Sequence, residues 1–212
     1  MSDDNPIGYA NHVYSRQLIS VCTDPIYKSF MEMYNRISTQ AINKNEILSS
    51  FQLSIKQIPN WTKSQIFEQV QKTSVNCNFL PDLLAAVYLS NVKILSAVKI
   101  KKSSKKVHVK IPDLNQFIHT IFINVAQRIY DNPKCFSIRE FGIEMNNKEI
   151  IHSYIQNAIQ DALIKMLPFQ NILQTYFGNK LHGGHSSSSD SDSESDSHSD
   201  VSEDDNSDLI QR

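Results

Sequence analysis

Apolar residues recur at spacings of three and four through most of this chain of 212 residues, and this spacing constrains the fold more than any other feature. Between residues 25 and 40, six apolar side chains fall on one helical face: Ile26, Tyr27, Phe30, Met33, Tyr34 and Ile37. Similar segments follow, each bounded by proline or by a residue that caps helices. The pattern predicts a mainly α fold, a compact helical domain of about seven or eight helices.

Prolines and capping residues set the expected limits of the helices. The segments 14–22 and 25–40 are predicted to be two separate helices, with Pro25 in the first turn of the second and Thr23 or Asp24 as its cap. The spacing of Thr62 and Gln65 is that of a capping box. Further helices are predicted at 46–58, 62–75, 81–98, 113–131, 147–167 and directly after Pro168.

The helical spacing is interrupted between residues 98 and 111. Val98–Ile100 and Val107–Ile111 alternate apolar and polar residues with a period of two, and Lys101–Lys106 between them is basic and polar. Alternation of this kind is typical of short strands, so we expect one small β-hairpin with a basic tip. A ribbon of two strands is stable only when it packs on another element.

The C-terminal segment has a different composition. Residues 186–208 are almost wholly Ser, Asp and Glu, so they have too little apolar surface to compensate the entropy of ordering the chain. We expect a flexible N-terminus at 1–11, an α-helical domain at 12–181 and a disordered acidic tail at 182–212. Residues 1–181 carry 20 Lys and Arg against 13 Asp and Glu, whereas the tail carries one Arg against nine acidic residues.

A cluster of lysines gives the expected domain its most basic region. Seven lysines lie within 18 residues without an acidic residue among them: Lys93, Lys99, Lys101, Lys102, Lys105, Lys106 and Lys110. Clusters of this kind bind phosphate backbones through counterion release, so we expect a polyanion-binding site. The absence of Arg and of interleaved aromatic residues speaks against base-specific recognition. The alternative is a solvated loop that protects a strand edge from aggregation.

Serines of the tail are candidate phosphorylation sites. Six of them have an acidic residue three positions later, the spacing that acidophilic kinases of the casein-kinase-2 type prefer: Ser187, Ser189, Ser191, Ser193, Ser197 and Ser202. Each phosphate would add about −1.5 to −2 charges. The alternative is an unmodified tail that keeps the protein soluble. Such a tail can also compete with polyanions for the lysines, because its linker keeps it at a high effective concentration.

Motifs for catalysis and metal binding are missing from the sequence. There is no glycine loop for nucleotide phosphates and no nucleophile elbow, so we expect a protein without enzymatic activity and without a cofactor. His182, His185 and His198 fall in the expected disordered tail, which lacks the fixed geometry of a metal site. No metal site is therefore predicted.

Cysteine usage and the N-terminal residues indicate a compartment. Cys22, Cys77 and Cys135 are far apart, which favours reduced thiols in the cytosol or nucleus over a disulfide framework. The polar, acidic N-terminus does not resemble a secretion signal, and no uncharged apolar stretch of 18 residues occurs. We therefore expect a protein that is not secreted and that does not bind a membrane.

Three segments together resemble a known family. They are IPNW at 58–61, FLPDLLAAVYLSNVKILSAV at 79–98 and KIPDLNQFIHTIFINVAQRIYDNPKCF at 110–136. Their order resembles that in a family of uncharacterised proteins encoded by nucleocytoplasmic large DNA viruses, mimivirus-like viruses especially, over about residues 12–177. The family has no assigned activity, so the resemblance implies a source and a fold. It also implies a location in the virion or in a viral factory of the host cytoplasm.

Structural roles are expected for four residues of these segments. Pro59 and Trp61 are expected to form a corner between two helices, with the ring of Trp61 buried. His119 is expected to be half-buried with its hydrogen bonds satisfied; the alternative is a catalytic base. Pro133 is expected to end that helix, because proline cannot continue it.

These features together lead to two functional hypotheses. The first is a non-enzymatic viral protein that acts as a binding or structural component of the virion or viral factory through protein–protein contacts. The alternative is a nucleic-acid-associated accessory factor that uses the region from Lys93 to Lys110 and is modulated by the acidic tail. A protein partner is thus expected first and nucleic acid second, and the sequence assigns no oligomeric state.

Overall fold

The computed structural model describes residues 6–41, 43, 46–97, 109–136 and 143–177. Within these ranges the chain forms seven α-helices: α1 (Pro6–Gln40), α2 (Ile47–Ile55), α3 (Lys63–Ser74), α4 (Leu80–Ala97), α5 (Leu114–Asp131), α6 (Ile143–Met166) and α7 (Phe169–Phe177). Two short 3₁₀ helices lie at Ile58–Asn60 and Pro133–Phe136. None of the described residues is in a β-strand. The prediction of a mainly α fold is confirmed.

The expected β-hairpin is not supported. Residues 98–108, which include its first strand and its basic tip, lie outside the described residues. The next residues, Val109–Ile111, were expected to end the second strand, but they run irregularly into α5. Ile111 precedes Pro112, and a residue before proline favours an extended backbone without any partner strand. The alternating pattern that suggested a strand is therefore also compatible with an irregular segment that leads into α5.

The prediction of two separate helices around Pro25 is wrong. Helix α1 runs without interruption from Pro6 to Gln40, with Pro25 inside it. Thr23, a predicted cap, instead donates its hydroxyl to the carbonyl oxygen of Ile19 at 2.6 Å. Proline inside a helix removes a backbone donor and costs roughly 3 kcal/mol. Burial along α1 must compensate this cost.

A buried stripe along α1 provides the compensation. It continues across the proline at a spacing of four, and its members are fully buried: Leu18, Cys22, Ile26 and Phe30. A break at Pro25 would turn one half of this stripe away from the core. The helix also starts early, since residues 6–11, which the sequence predicted to be flexible, form its first turns.

Helix α5 lies at the centre of the hydrophobic core. It contacts α2, α3 and α6, and its Phe122 stacks on Phe30 of α1 with ring centroids 5.3 Å apart. Six apolar residues of its inner face are fully buried: Phe117, Ile118, Ile121, Phe122, Val125 and Ile129. Burying one such side chain stabilises a fold by roughly 1.5–3 kcal/mol. This face therefore accounts for a large part of the cohesion of the core.

Side chains cap two of the helices, and the sequence predicted the capping box of the first of them, α3. In the capping box of α3, Thr62 Oγ1 accepts from the backbone N of Gln65 at 3.3 Å, and Gln65 Oε1 accepts from the backbone N of Thr62 at 2.9 Å. At the start of α5, Asp113 Oδ1 accepts from the backbone N of Gln116 at 3.0 Å. A cap typically contributes about 1 kcal/mol. These caps fix the points at which α3 and α5 begin.

Helix α4 is, by length and composition alone, apolar enough to cross a membrane. The core helix of a water-soluble protein passes the same test, and α4 packs along α1. Seven of its residues are buried: Leu80, Leu83, Leu84, Val87, Tyr88, Ser90 and Val92. Packing in the core therefore accounts for this part of its apolar surface.

Candidate binding surfaces

A surface groove lies between α2, the first 3₁₀ helix and α5. We call it the Pro59 groove; its volume is about 230 Å³ and it is lined by Ile55, Lys56, Pro59, Ile123, Ala126, Gln127 and Tyr130. Ile55 and Ala126 are buried at its base, whereas Lys56, Gln127 and Tyr130 are exposed. An apolar base with a polar rim is the usual anatomy of a site that receives an apolar side chain.

Two hydrogen bonds hold the walls of the Pro59 groove in place. Gln52 Nε2 of α2 donates to the carbonyl oxygen of Tyr130 at 2.8 Å, which ties α2 to the end of α5. His119 Nε2 lies 2.8 Å from the carbonyl oxygen of Ile58, which directly precedes Pro59. Because a carbonyl oxygen can only accept, Nε2 must carry the hydrogen. The groove is thus formed by tied elements and needs no partner to shape it.

The side chains of Trp61 and His119 support the wall that carries Pro59. Trp61 is half-buried and packs on the core, with its ring 5.2 Å from the ring of Phe122 and stacked 6.1 Å from that of His119. Its backbone N donates to the carbonyl oxygen of Ile58 at 3.2 Å. The structure therefore brings Pro59, Trp61 and His119 together, as supports and lining of one groove.

Pro133 lies in the second 3₁₀ helix, away from the residues that line the groove. It directly follows Asn132, the C-cap of α5, so the helix ends where the sequence predicted. Phe136 at the end of this turn is buried against Phe51 and Tyr34, with ring centroids 4.7 and 5.5 Å apart. Pro133 thus starts a turn that returns the chain to the core.

A second, larger cleft lies at the start of α5. We call it the Lys110 cleft; its volume is about 690 Å³ and it is lined by Lys110, Ile111, Pro112, Asp113, Gln116, Thr120, Lys165 and Met166. Lys165 belongs to the last turn of α6, and both lysines are exposed. Sequence reasoning missed Lys165, because it is far from the lysine cluster along the chain. A lysine near a helix C-terminus is expected there, because it interacts favourably with the helix dipole. Its position in the sequence therefore did not indicate that it lines a cleft.

The structure tests little of the predicted polyanion site. Lys93 is exposed on α4 and Lys110 is exposed before α5. Five of the predicted lysines lie outside the described residues: Lys99, Lys101, Lys102, Lys105 and Lys106. The six predicted phosphorylation sites at 187–202 also lie outside them. Lys110 is therefore the member of the cluster for which a cleft is described.

A polar network joins the beginning of α1 to the end of α4. Ser90 Oγ lies 2.8 Å from both Asn11 Oδ1 and the carbonyl oxygen of Ala86, and its one hydrogen serves one of them at a time. Asn11 Nδ2 donates to Asn91 Oδ1 at 3.3 Å. The side chains of residues 6–17 are half-buried or exposed, and this network attaches that part of α1 to α4.

His152 of α6 lies against α1 next to the internal proline. Its Nε2 is 3.5 Å from Asp24 Oδ1, and its ring meets that of Tyr27 edge-on at 5.0 Å. Lys148 Nζ lies 5.5 Å from the centre of the Tyr27 ring. Burial lowers the pKa of His152; the carboxylate of Asp24 opposes this and Lys148 adds to it. The imidazole is therefore held mainly neutral at neutral pH.

The described residues offer little for catalysis. Among them no group of three or more His, Cys, Asp and Glu side chains is placed to hold a metal ion. The three cysteines are free and buried, and burial raises the pKa of Cys22 to about 12 and that of Cys135 to about 11. A thiol with so high a pKa is a poor nucleophile at neutral pH. These cysteines act as small apolar residues.

Comparison with known proteins identifies a family. The model of a family of unknown function (DUF5764) matches residues 5–137, well over half of the chain, and the protein therefore belongs to this family. No curated protein and no solved structure matches the chain. The matched region includes every residue that lines the Pro59 groove, whereas it excludes Lys165 and Met166 of the Lys110 cleft.

Proposed function

We propose that this member of a family of unknown function is a non-enzymatic binding protein that holds a protein partner in the Pro59 groove. The observation that carries the proposal is the groove itself, an apolar base between two tied walls. Buried pockets that receive aromatic or aliphatic anchors contribute most of the affinity of protein interfaces.

The charge at the rim indicates the chemistry of the partner. Lys56 is the one charged residue among those that line the groove. A partner segment with one or two apolar anchors and a neighbouring carboxylate would complement both features, as amphipathic helices do in the grooves they occupy. We therefore propose an acidic, amphipathic segment of another protein as the occupant.

The resemblance to proteins of large DNA viruses supplies the setting of the proposal. We propose that the protein acts in a viral factory of the host cytoplasm or in the virion, as a component that links other proteins. It is not secreted and does not bind a membrane in this proposal.

A capture experiment with matched variants tests the groove. Lys56→Glu reverses the rim charge and Tyr130→Asp places a carboxylate at the rim, both at exposed positions. Lys63→Glu changes an exposed lysine of α3 that lies outside the groove and is the control. We expect quantitative mass spectrometry of complexes from infected cells to show a protein that wild type and the control retain and that both groove variants lose. Equal recovery of every captured protein by all four chains would reject the groove as the docking site.

A second candidate function is association with nucleic acid. The exposed Lys110 at the edge of a cleft favours it, together with the basic balance of residues 1–181. In this hypothesis the region from Lys93 to Lys110 binds phosphate backbones and the acidic tail competes for the same lysines. Affinity for duplex DNA should then fall steeply with salt, and deletion of residues 182–212 should tighten binding at low salt. Phosphorylation of Ser187, Ser189, Ser191 and Ser193 should weaken it.

A further inference from the structure

We propose that Lys165 and Lys110 together form a phosphate site in the Lys110 cleft, and that the site takes a backbone phosphate of a nucleic acid. The proposal rests on the second candidate function and adds to it a residue that the lysine cluster does not contain. Two lysines from distant parts of the chain line this cleft, one in the segment before α5 and one in the last turn of α6.

Both ammonium groups are available to a ligand. Two other basic side chains of the described residues have acidic partners: Lys72 pairs with Glu32 at 2.8 Å, and Arg128 pairs with Asp161 at 2.6 Å. Within the described residues, neither Lys110 nor Lys165 has an acidic side chain within ion-pair distance. A phosphate between them would supply the missing counter-charge.

Asp113, the one acidic residue among the described residues that line the cleft, caps the N-terminus of α5. Asp113 Oδ1 accepts from the backbone N of Gln116 at 3.0 Å, and Asp113 Oδ2 accepts from Asn115 Nδ2 at 3.5 Å. Its negative charge thus lies at the N-terminus of α5, where the helix dipole stabilises it. The lining as a whole retains a positive charge, since two lysines face one capped carboxylate.

The other side chains that line the Lys110 cleft favour a backbone phosphate over a nucleotide base or a small free anion. Among the described residues that line the cleft, none is an aromatic residue on which a base could stack and none is an arginine for bidentate recognition. Two exposed lysines bind one isolated phosphate weakly, whereas the successive phosphates of a nucleic acid contact several lysines of a basic protein at the same time. The Gln116 amide and the Thr120 hydroxyl line the same cleft as further polar groups.

Binding of a labelled DNA duplex to the full chain tests this proposal. Anisotropy would be measured at several salt concentrations between about 50 and 200 mM, the range over which backbone contacts lose most affinity. We expect Lys165→Ala and Lys110→Ala each to weaken binding about three- to tenfold at low salt and to reduce the salt slope by about one. Lys63→Ala removes an exposed lysine outside the cleft and controls for net charge. Circular dichroism would confirm that all variants fold.

Each possible result supports or rejects the phosphate site, the second candidate function or both. If wild type binds the duplex and Lys165→Ala binds as tightly as Lys63→Ala does, the phosphate site is wrong while the second candidate function stands. If wild type shows no salt-sensitive binding at about 50 mM salt, both are wrong. If a phosphoserine peptide depends on Lys165 and the duplex does not, the cleft binds phosphoprotein and the nucleic-acid proposal is overturned.

Discussion

Replacement of Trp61 by alanine would test how the wall of the Pro59 groove is supported. Trp61 is the one tryptophan of the chain, and its half-buried ring lies between Phe122 of the core and His119. Removal of the indole would uncover one side of both rings. It would also loosen the turn whose Ile58 carbonyl oxygen accepts from His119 and from the Trp61 backbone.

The expected magnitude follows from this burial. A fully buried Trp→Ala change costs about 3–5 kcal/mol, because transfer energy is lost and a cavity remains. Trp61 keeps part of its surface in water, which lowers that figure, while loss of the aromatic contact to Phe122 adds about 0.5–1.5 kcal/mol. We therefore expect a loss of about 3 kcal/mol in the free energy of unfolding. Trp61→Phe retains a ring against Phe122 and should cost about 1 kcal/mol.

Urea denaturation followed by circular dichroism is the suitable assay, since the alanine variant has no tryptophan to follow. Constant slopes of the unfolding free energy against urea would show that stability alone has changed. A loss below about 1 kcal/mol for Trp61→Ala would mean that the ring contributes little to the core. Trp61 would then be a surface aromatic, and a direct role in binding would have to replace its role as a support.

Three further predictions concern the core and the tail. Ser90→Ala should cost about 1 kcal/mol and speed amide hydrogen exchange in residues 9–17, whereas the exposed control Ser20→Ala should change neither. The pKa of His152 is lowered on folding, so at a pH below its ordinary value of about 6.5 the unfolded chain binds more protons than the folded chain. Stability should therefore fall as the pH drops through 6.5. Replacement His152→Gln should make stability less dependent on pH in this range. A chain of residues 1–181 should melt within about 3 °C of the full chain, and a larger loss would show that the tail contributes to the fold.

Helices could be predicted from the sequence wherever one buried stripe and a local capping signal agree. In α5 the six apolar residues of the inner face and the Asp113 cap both depend on neighbours within four positions. Pro25 shows the limit of such reasoning. Its local preference favours a helix start, but the stripe from Leu18 to Phe30 is buried against other helices, and that burial outweighs the lost backbone hydrogen bond.

The candidate surfaces were less predictable, because they depend on contacts between distant residues. Asn11 and Ser90 lie 79 positions apart in the sequence and form a hydrogen bond between α1 and α4. Nothing in the local sequence around either residue predicts this partner. Lys165 joins Lys110 only because α6 ends beside the start of α5. Local patterns assign residues to faces of helices, but they do not tell which faces meet at a cleft.

The IPNW segment at 58–61 was predicted to form a corner between two helices, and its Pro59 also lines the Pro59 groove. Helix α2 ends at Ile55, and the chain then passes through the 3₁₀ helix that contains Pro59 before α3 begins at Lys63. The Pro59 groove lies between α2, this turn and α5. Trp61 and His119 tie the turn to α5 and so prevent the groove from collapsing. Residues that pack the turn against α5 therefore also shape the groove that we propose as the docking site.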